Sequence, residues 1–171
     1  IGERGTELEN FVSSYRKLTR IPQPVPETFR LRDWLDQIGL LLHEQMEQSQ
    51  ITLETRIDDK ATELNGDKKM LTQVMINILN NAMEALSEIP GKRKIRITAD
   101  PVRPNYTKIV IANNGPMIPA EVIDKIFIPF FTTKESGSGI GLSLSRQILR
   151  LHRGSIHAES AVEATRFIVF I

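Results

Sequence analysis

From Thr6 to Arg20, Leu8, Phe11, Val12, Tyr15 and Leu18 recur at helical spacing and leave one narrow apolar stripe on a polar helix that wants a partner helix. Ile21 to Pro26 follows with Pro22, Pro24 and Pro26, which cannot continue a helix and favour an extended connector. Leu35, Ile38, Leu41, Leu42 and Met46 mark a second amphipathic helix, and Ile51, Leu53, Thr55 and Ile57 alternate as a strand. Asp67 is placed to cap a long helix through Met70, Leu71, Val74, Met75, Ile78, Leu79, Ala82, Met83 and Leu86, closed by Pro90. Strands follow at Lys94 to Ala99 and Lys108 to Ala112, then helices at Glu121 to Ile126 and Ile140 to His152, then strands at Ile156 to Glu159 and Arg166 to Ile171. This order predicts an α+β fold, a two-layer sandwich with helices packed on one face of a mixed sheet. A domain boundary falls in the proline-rich connector, dividing residues 1–26 from residues 27–171.

Composition narrows the class. The 171 residues carry 22 Lys and Arg against 21 Asp and Glu, so no uniform field is available to hold nucleic acid or an anionic membrane surface. The absence of cysteine excludes disulfides and thiolate metal sites and fits a reducing, cytoplasmic setting. The longest apolar runs are far shorter than the roughly 20 residues that cross a bilayer. Without a starting methionine, the chain reads as a fragment whose parent could be membrane-anchored.

Three stretches carry chemistry. Asn77 and Asn81 are four residues apart on the long helix, so both amides share one face, and amide oxygens suit a magnesium ion that also takes phosphate oxygens. Taken alone, the pair reads as a solvated helix face. Asn113-Asn114-Gly115-Pro116-Met117-Ile118 follows a strand and forms a corner that can aim a side chain into a cleft, or is a plain surface turn. Phe127 to Lys134 is followed by Gly137-Ser138-Gly139-Ile140-Gly141-Leu142 at a helix start, where exposed amides and the helix dipole suit phosphate. The spacing is neither the dinucleotide Gly-x-Gly-x-x-Gly nor the P-loop pattern.

In this order the three stretches resemble the ATP-binding domain shared by histidine kinases, gyrase, the ninety-kilodalton heat-shock chaperone and mismatch-repair ATPases, over Thr28 to Ile171. Asn77 to Ala82 is similar to the family's asparagine box, Asn113 to Ile118 to its first glycine box, and Gly137 to Leu142 to its second. Pro129-Phe130-Phe131-Thr132-Thr133-Lys134 resembles the nitrogen-regulation type of sensor histidine kinase. The resemblance implies ATP and Mg2+ as cofactors, with Asn77, Asn81 and Lys134 carrying phosphoryl transfer and Asn81 holding the metal. It places Asn77, Asn81, Asn113, Gly115, Ile118, Lys134, Gly137, Gly139, Ile140, Gly141 and Leu142 around the nucleotide. Thr6 to Arg20 then resembles the second helix of a dimerisation and phosphotransfer hairpin, whose acceptor histidine would precede residue 1, with a response regulator receiver domain as the onward partner.

Two positions depart from the family pattern. Asn113 stands where the family has the aspartate that binds the adenine amine, and Met117 replaces its second glycine; a further glycine is missing near Ala161 to Thr165. A freely flipping carboxamide at Asn113 would serve adenine or guanine equally. Hydrolytic relatives carry a water-activating glutamate where Asn77 stands, which cannot act as a general base. A kinase is therefore expected, with a hydrolase or a nucleotide-impaired scaffold as competing readings. His43, His152 and His157 are expected as solvated histidines, and the phenylalanines before Lys134 as either core or lid anchors.

Overall fold

A computed structural model describes residues 3–135 and 137–171. Helix α1 (Glu3–Thr19) leads into an extended connector, strand β1 (Glu27–Arg30) and helix α2 (Leu31–Gln48). Then come β2 (Ile51–Ile57), β3 (Glu63–Gly66), the long helix α3 (Lys68–Ser87), β4 (Arg93–Arg103), β5 (Tyr106–Asn113), the single turn α4 (Ala120–Ile123), α5 (Gly141–Leu151), β6 (Ser155–Ser160) and β7 (Thr165–Phe170). Five strands form one mixed sheet in the order β2-β4-β5-β7-β6, in which only β2 and β4 run parallel. A parallel pair needs a crossover, and α3 lies within it. The two-layer α+β sandwich expected above is the architecture found.

The period-two alternation of β5 decides which face is covered. Thr107, Ile109, Ile111 and Asn113 are buried and their neighbours are not. Ile95, Ile97, Ala99, Phe167 and Val169 continue this buried face, and α3 meets it with Leu71, Val74, Met75, Ile78, Leu79 and Leu86. Burying each such aliphatic side chain stabilises the fold by about 1.5–3 kcal/mol. Trp34 of α2 is buried and donates its indole N–H to Thr72 Oγ1 at 2.8 Å, which locks α2 to α3. At the other end of α3, the guanidinium of Arg93 donates to the carbonyls of Ser87, Ile89 and Ser49, so the first residue of β4 satisfies the carbonyl ends of α2 and α3 together.

Four elements differ from the sequence expectation. Strands β1 and β3 pair antiparallel in a separate ribbon and escaped notice because each buries only one or two side chains. The helix expected over Glu121 to Ile126 is one turn long: beyond Ile123 the amides of Lys125 and Ile128 bond three residues back, and Pro129 ends the segment. Strand β4 runs on to Arg103, through Pro101. There β4 has outrun β2, whose last partner is Ala99. Pro101 faces Thr107, whose N–H and C=O are both given to Ile171, so the pair exchanges no bonds and the missing N–H points to an open edge.

Asp67 begins α3 as the cap expected, accepting the N–H of Met70 at 3.0 Å, and its second oxygen accepts the N–H of Val25 at 2.9 Å. The connector is thus tied to the start of α3. His152 is not a solvated histidine: its Nδ1 lies 2.7 Å from the carbonyl of Ile148 and its Nε2 accepts the N–H of Asp67 at 2.9 Å, which makes it a neutral ring inside the same junction. His43 lies exposed on α2 beside Glu47 and His157 lies exposed on β6. No described helix is long and apolar enough to cross a membrane.

The N–H groups of Val25 and Met70 hold the Asp67 carboxyl below its ordinary value. A depressed carboxylate stabilises the fold fully above the unfolded value of about 3.9, and loses this as pH falls through the lower folded value. Asp67→Ala should lower unfolding free energy at neutral pH by about 1 kcal/mol. Asp67→Asn, which keeps an oxygen for Met70 but not a second one for Val25, should fall between. Urea denaturation followed through Trp34 at pH 7 and near pH 3 should show the gap between native and Ala proteins narrowing at the lower pH.

Candidate functional site

Asn77, Asn81 and Ala85 succeed one another at four-residue steps on α3, and this stripe faces the start of α5, the segment 127–135 and the turn after β5. Asn77 spans the gap to α5. Its Nδ2 donates to the carbonyl of Gly141 at 3.1 Å and to Ser145 Oγ at 3.2 Å, and its Oδ1 accepts from Gln73 at 3.1 Å. Ser145 Oγ donates to the same Gly141 carbonyl. Both ends of the Asn77 carboxamide are therefore engaged, the Nδ2 with the start of α5 and the Oδ1 with its own helix.

Asn81 behaves differently. Its Oδ1 accepts from the ammonium of Lys134 at 3.0 Å, and that ammonium also pairs with Glu84, one turn further along α3. The amide oxygen suited to magnesium already faces a cation. Glu84 was not singled out from the sequence, although its three-residue step from Asn81 puts it on the same face.

Helix α5 starts without a side-chain cap at Ile140, which leaves its first amides directed outward at the positive end of the helix dipole. The preceding glycines pack against the phenylalanine segment. Gly139 has φ +67, and a Cβ there would lie 2.5 Å from the carbonyl carbon of Phe130; Phe130 is itself left-handed at φ 66 and donates its N–H to Gly139 at 2.9 Å. A Cβ at Gly137 would meet Thr132 Oγ1 at 2.5 Å. Of the phenylalanines, Phe127 takes the core role expected of it. Phe127 is buried beneath the guanidinium of Arg146, whereas the half-exposed ring of Phe130 stacks on Phe11 of α1 at 5.0 Å.

The turn after β5 closes the site. Asn113 ends the buried face of β5 at 3% exposure, and its Oδ1 accepts the N–H of Gly115 at 3.0 Å. A Cβ at Gly115 would meet that oxygen at 2.8 Å and Ala85 Cβ at 3.2 Å, so glycine lets the turn lie against α3. Asn114 faces away and staples the turn to β4 through the N–H of Lys94 and the carbonyl of Lys92. The far side is held by a hydroxyl chain that sequence reasoning missed. Ile118 N–H donates to Ser160 Oγ, which is 2.6 Å from Thr165 Oγ1, which donates to the carbonyl of Pro116 at 3.5 Å. The loop between β6 and β7 closes without the missing glycine, through the N–H of Ala161 and the carbonyl of Ala164. Met117 stands exposed at the rim.

The structure thus gathers Asn77, Asn81, Lys134, Gly137, Gly139, Ile140, Gly141 and Leu142 around the junction of α3 with the start of α5, and sets Asn113, Gly115 and Ile118 in the turn that packs on α3 at Ala85. Among the described residues no three His, Asp or Glu side chains gather as a metal cluster. The donor set at Asn81 nevertheless fits a hard ion that takes most of its ligands from water and phosphate.

This constellation is that of a known ATPase fold. The profile of the histidine kinase-, DNA gyrase B-, and HSP90-like ATPase family matches residues 66–171, and the chain belongs to that family. Among its relatives is the signal transduction histidine-protein kinase AtoS of Escherichia coli, 39% identical over 113 residues that make up 66% of this chain and 18% of AtoS. The sensory histidine kinase/phosphatase NtrB of Vibrio alginolyticus is 33% identical over 133 residues, 72% of this chain and 38% of NtrB. In the crystal structure of histidine kinase ThkA in complex with the response regulator protein TrrA, ThkA superposes with a TM-score of 0.80 at 29% identity, over 98% of this chain and 48% of that one. The chain spans well under half the length of these curated relatives.

Asn77→Ala should leave the Gly141 carbonyl and Ser145 without their shared partner and cost about 1–3 kcal/mol of stability. In calorimetry, nucleotide affinity should then fall to the same degree with and without magnesium, because the start of α5 is displaced and no metal ligand is lost.

Proposed function

We propose that this chain is the catalytic part of a sensor histidine kinase. It binds ATP with magnesium and passes the γ-phosphoryl group to a histidine on a partner segment of the same protein, for relay to a receiver domain. The observation that supports this reading is the contact of the Lys134 ammonium with the Asn81 amide oxygen on α3, beside the uncapped start of α5. Asn81 would hold the metal through its amide oxygen. The metal, when bound, neutralises the charge that develops on the transferred phosphoryl. Lys134 would turn to the phosphates as a point charge, and the first amides of α5 would bind phosphate oxygens.

The commitments of Asn77 favour a kinase over a hydrolase. A hydrolytic relative needs a general base one turn before the metal ligand, and here a carboxamide with both ends engaged occupies that place. Helix α1, with Leu8, Val12 and Tyr15 exposed, supports a dimer hairpin over residues 1–26 joined to a catalytic domain over 27–171. A receiver-domain partner is supported by the response regulator bound in the ThkA complex. The scaffold reading draws on Met117 and Asn113 alone.

Titration with a nonhydrolysable ATP analogue tests the proposal: binding should strengthen when magnesium is added, and no binding at millimolar analogue would favour the scaffold. Asn81→Ala should abolish the magnesium-dependent gain and leave metal-free affinity within about twofold, because only a metal ligand is removed. Incubated with radiolabelled ATP, the chain should acquire no acid-labile phosphate, since α1 has no histidine, His152 is enclosed in the Asp67 junction, and His43 and His157 lie on other surfaces. Adding the complete hairpin should restore labelling.

A further inference from the structure

Resting on that reading of the site, we propose that Glu84 supplies the carboxylate of the magnesium site, so that Glu84 and Asn81 hold the ion together and the Lys134 ammonium keeps its place in the free protein. Magnesium takes oxygen ligands, and proteins ordinarily offer it one or two carboxylates beside phosphate and water. Asn81 is a neutral amide, which brings an oxygen but no negative charge. Helix α3 carries a single carboxylate, and it is Glu84. It follows Asn81 by three residues, which puts both side chains on one face of the helix. Helix α5 contains no acidic residue, nor does the turn from Asn113 to Pro119, and the segment 127–135 contains only Glu135.

A cation already stands between the two side chains. The Lys134 ammonium lies 3.0 Å from Asn81 Oδ1 and pairs at the same time with a Glu84 oxygen, so an amide and a carboxylate converge on one positive group. The lysine is thus the stand-in for the metal. The Glu84 and Lys134 side chains are 58% and 41% exposed, so the ammonium can leave without stranding a buried charge. Once released, Lys134 is free to carry its charge to the phosphates, and Glu84 turns to the ion directly or through one of the waters that magnesium keeps. One cation replaces another, and Glu84 stays compensated in both states.

Calorimetry with a nonhydrolysable ATP analogue, in magnesium and in chelator, gives the two affinities whose ratio is the test. Glu84→Gln, which keeps the shape of an exposed side chain, should weaken binding in limiting magnesium by at least about tenfold, the low end for a carboxylate lost from around a metal. Metal-free binding should stay level or strengthen, because Lys134 is released. Glu135→Gln should leave the ratio unchanged. In a Lys134→Met background the Glu84→Gln loss should persist, since it comes from the metal and not from the lysine. If Glu84 serves only to restrain Lys134, its substitution will strengthen binding equally under both conditions and do nothing in the Lys134→Met background, which would overturn the inference. Equal losses at Glu84 and Glu135 would overturn it as well, by showing a general field in place of a ligand. A native gain from magnesium that Glu84→Gln retains sinks this inference alone and leaves the proposed function standing. A native chain that binds the analogue but gains nothing from magnesium overturns the metal reading on which both rest.

Discussion

One carboxamide, that of Asn77, determines where helix α5 begins relative to α3. Its two donor bonds reach the first residue of α5 and the serine one turn along, and its oxygen is held by Gln73 on its own helix. The glycine run that precedes α5 has little regular structure, so the position of its amides depends on this crossing and on the fit of Gly139 behind Phe130. If either contact is lost, α5 still has an apolar face on the core, but its N-terminus no longer has a fixed place opposite Asn81. Stability and ligand geometry are joined at that point.

The Lys134, Asn81 and Glu84 cluster operates under different rules. All three side chains are accessible to solvent, so the ion pair is weak and easily exchanged. That suits a group whose partner changes when a ligand arrives. A buried pair at the same place would have to be broken at a cost of several kcal/mol before a metal could enter. The more shielded contacts of the site are those of Asn77 with α5 and of Asn113 with Gly115, and the exchangeable one is the exposed contact of Lys134.

Much of this was readable from the chain. The apolar stripe from Met70 to Leu86 and the alternation from Lys108 to Ala112 have strong periods because each covers a large buried face, and both elements stand where those periods put them. The asparagine pair and the two glycine-containing turns were legible because backbone-exposing residues are rare in elements and cluster where a ligand approaches. The unread parts had no period to reveal them. Strands β1 and β3 bury too few side chains, the one-turn α4 has too few residues, and β4 continues through a proline that ordinarily ends a strand. The Ser160 and Thr165 hydroxyls are 42 and 49 residues from the groups they hold, and only the fold brings them together. Likewise the orientation of the Asn113 amide is decided by the Gly115 N–H, which composition does not show.

The continuation of β4 past Ala99 also bears on how the molecule behaves in a crowded solution. Beyond that residue no described strand pairs with β4 on its outer side, and an unpaired edge invites a strand from another molecule. Such a guest would seek an N–H at position 101 and find the Pro101 ring instead, with no donor and a side chain in the way. The ribbon that lengthens the sheet is thus protected from being extended by a second copy, and the residue that made the strand hard to recognise guards its edge against aggregation.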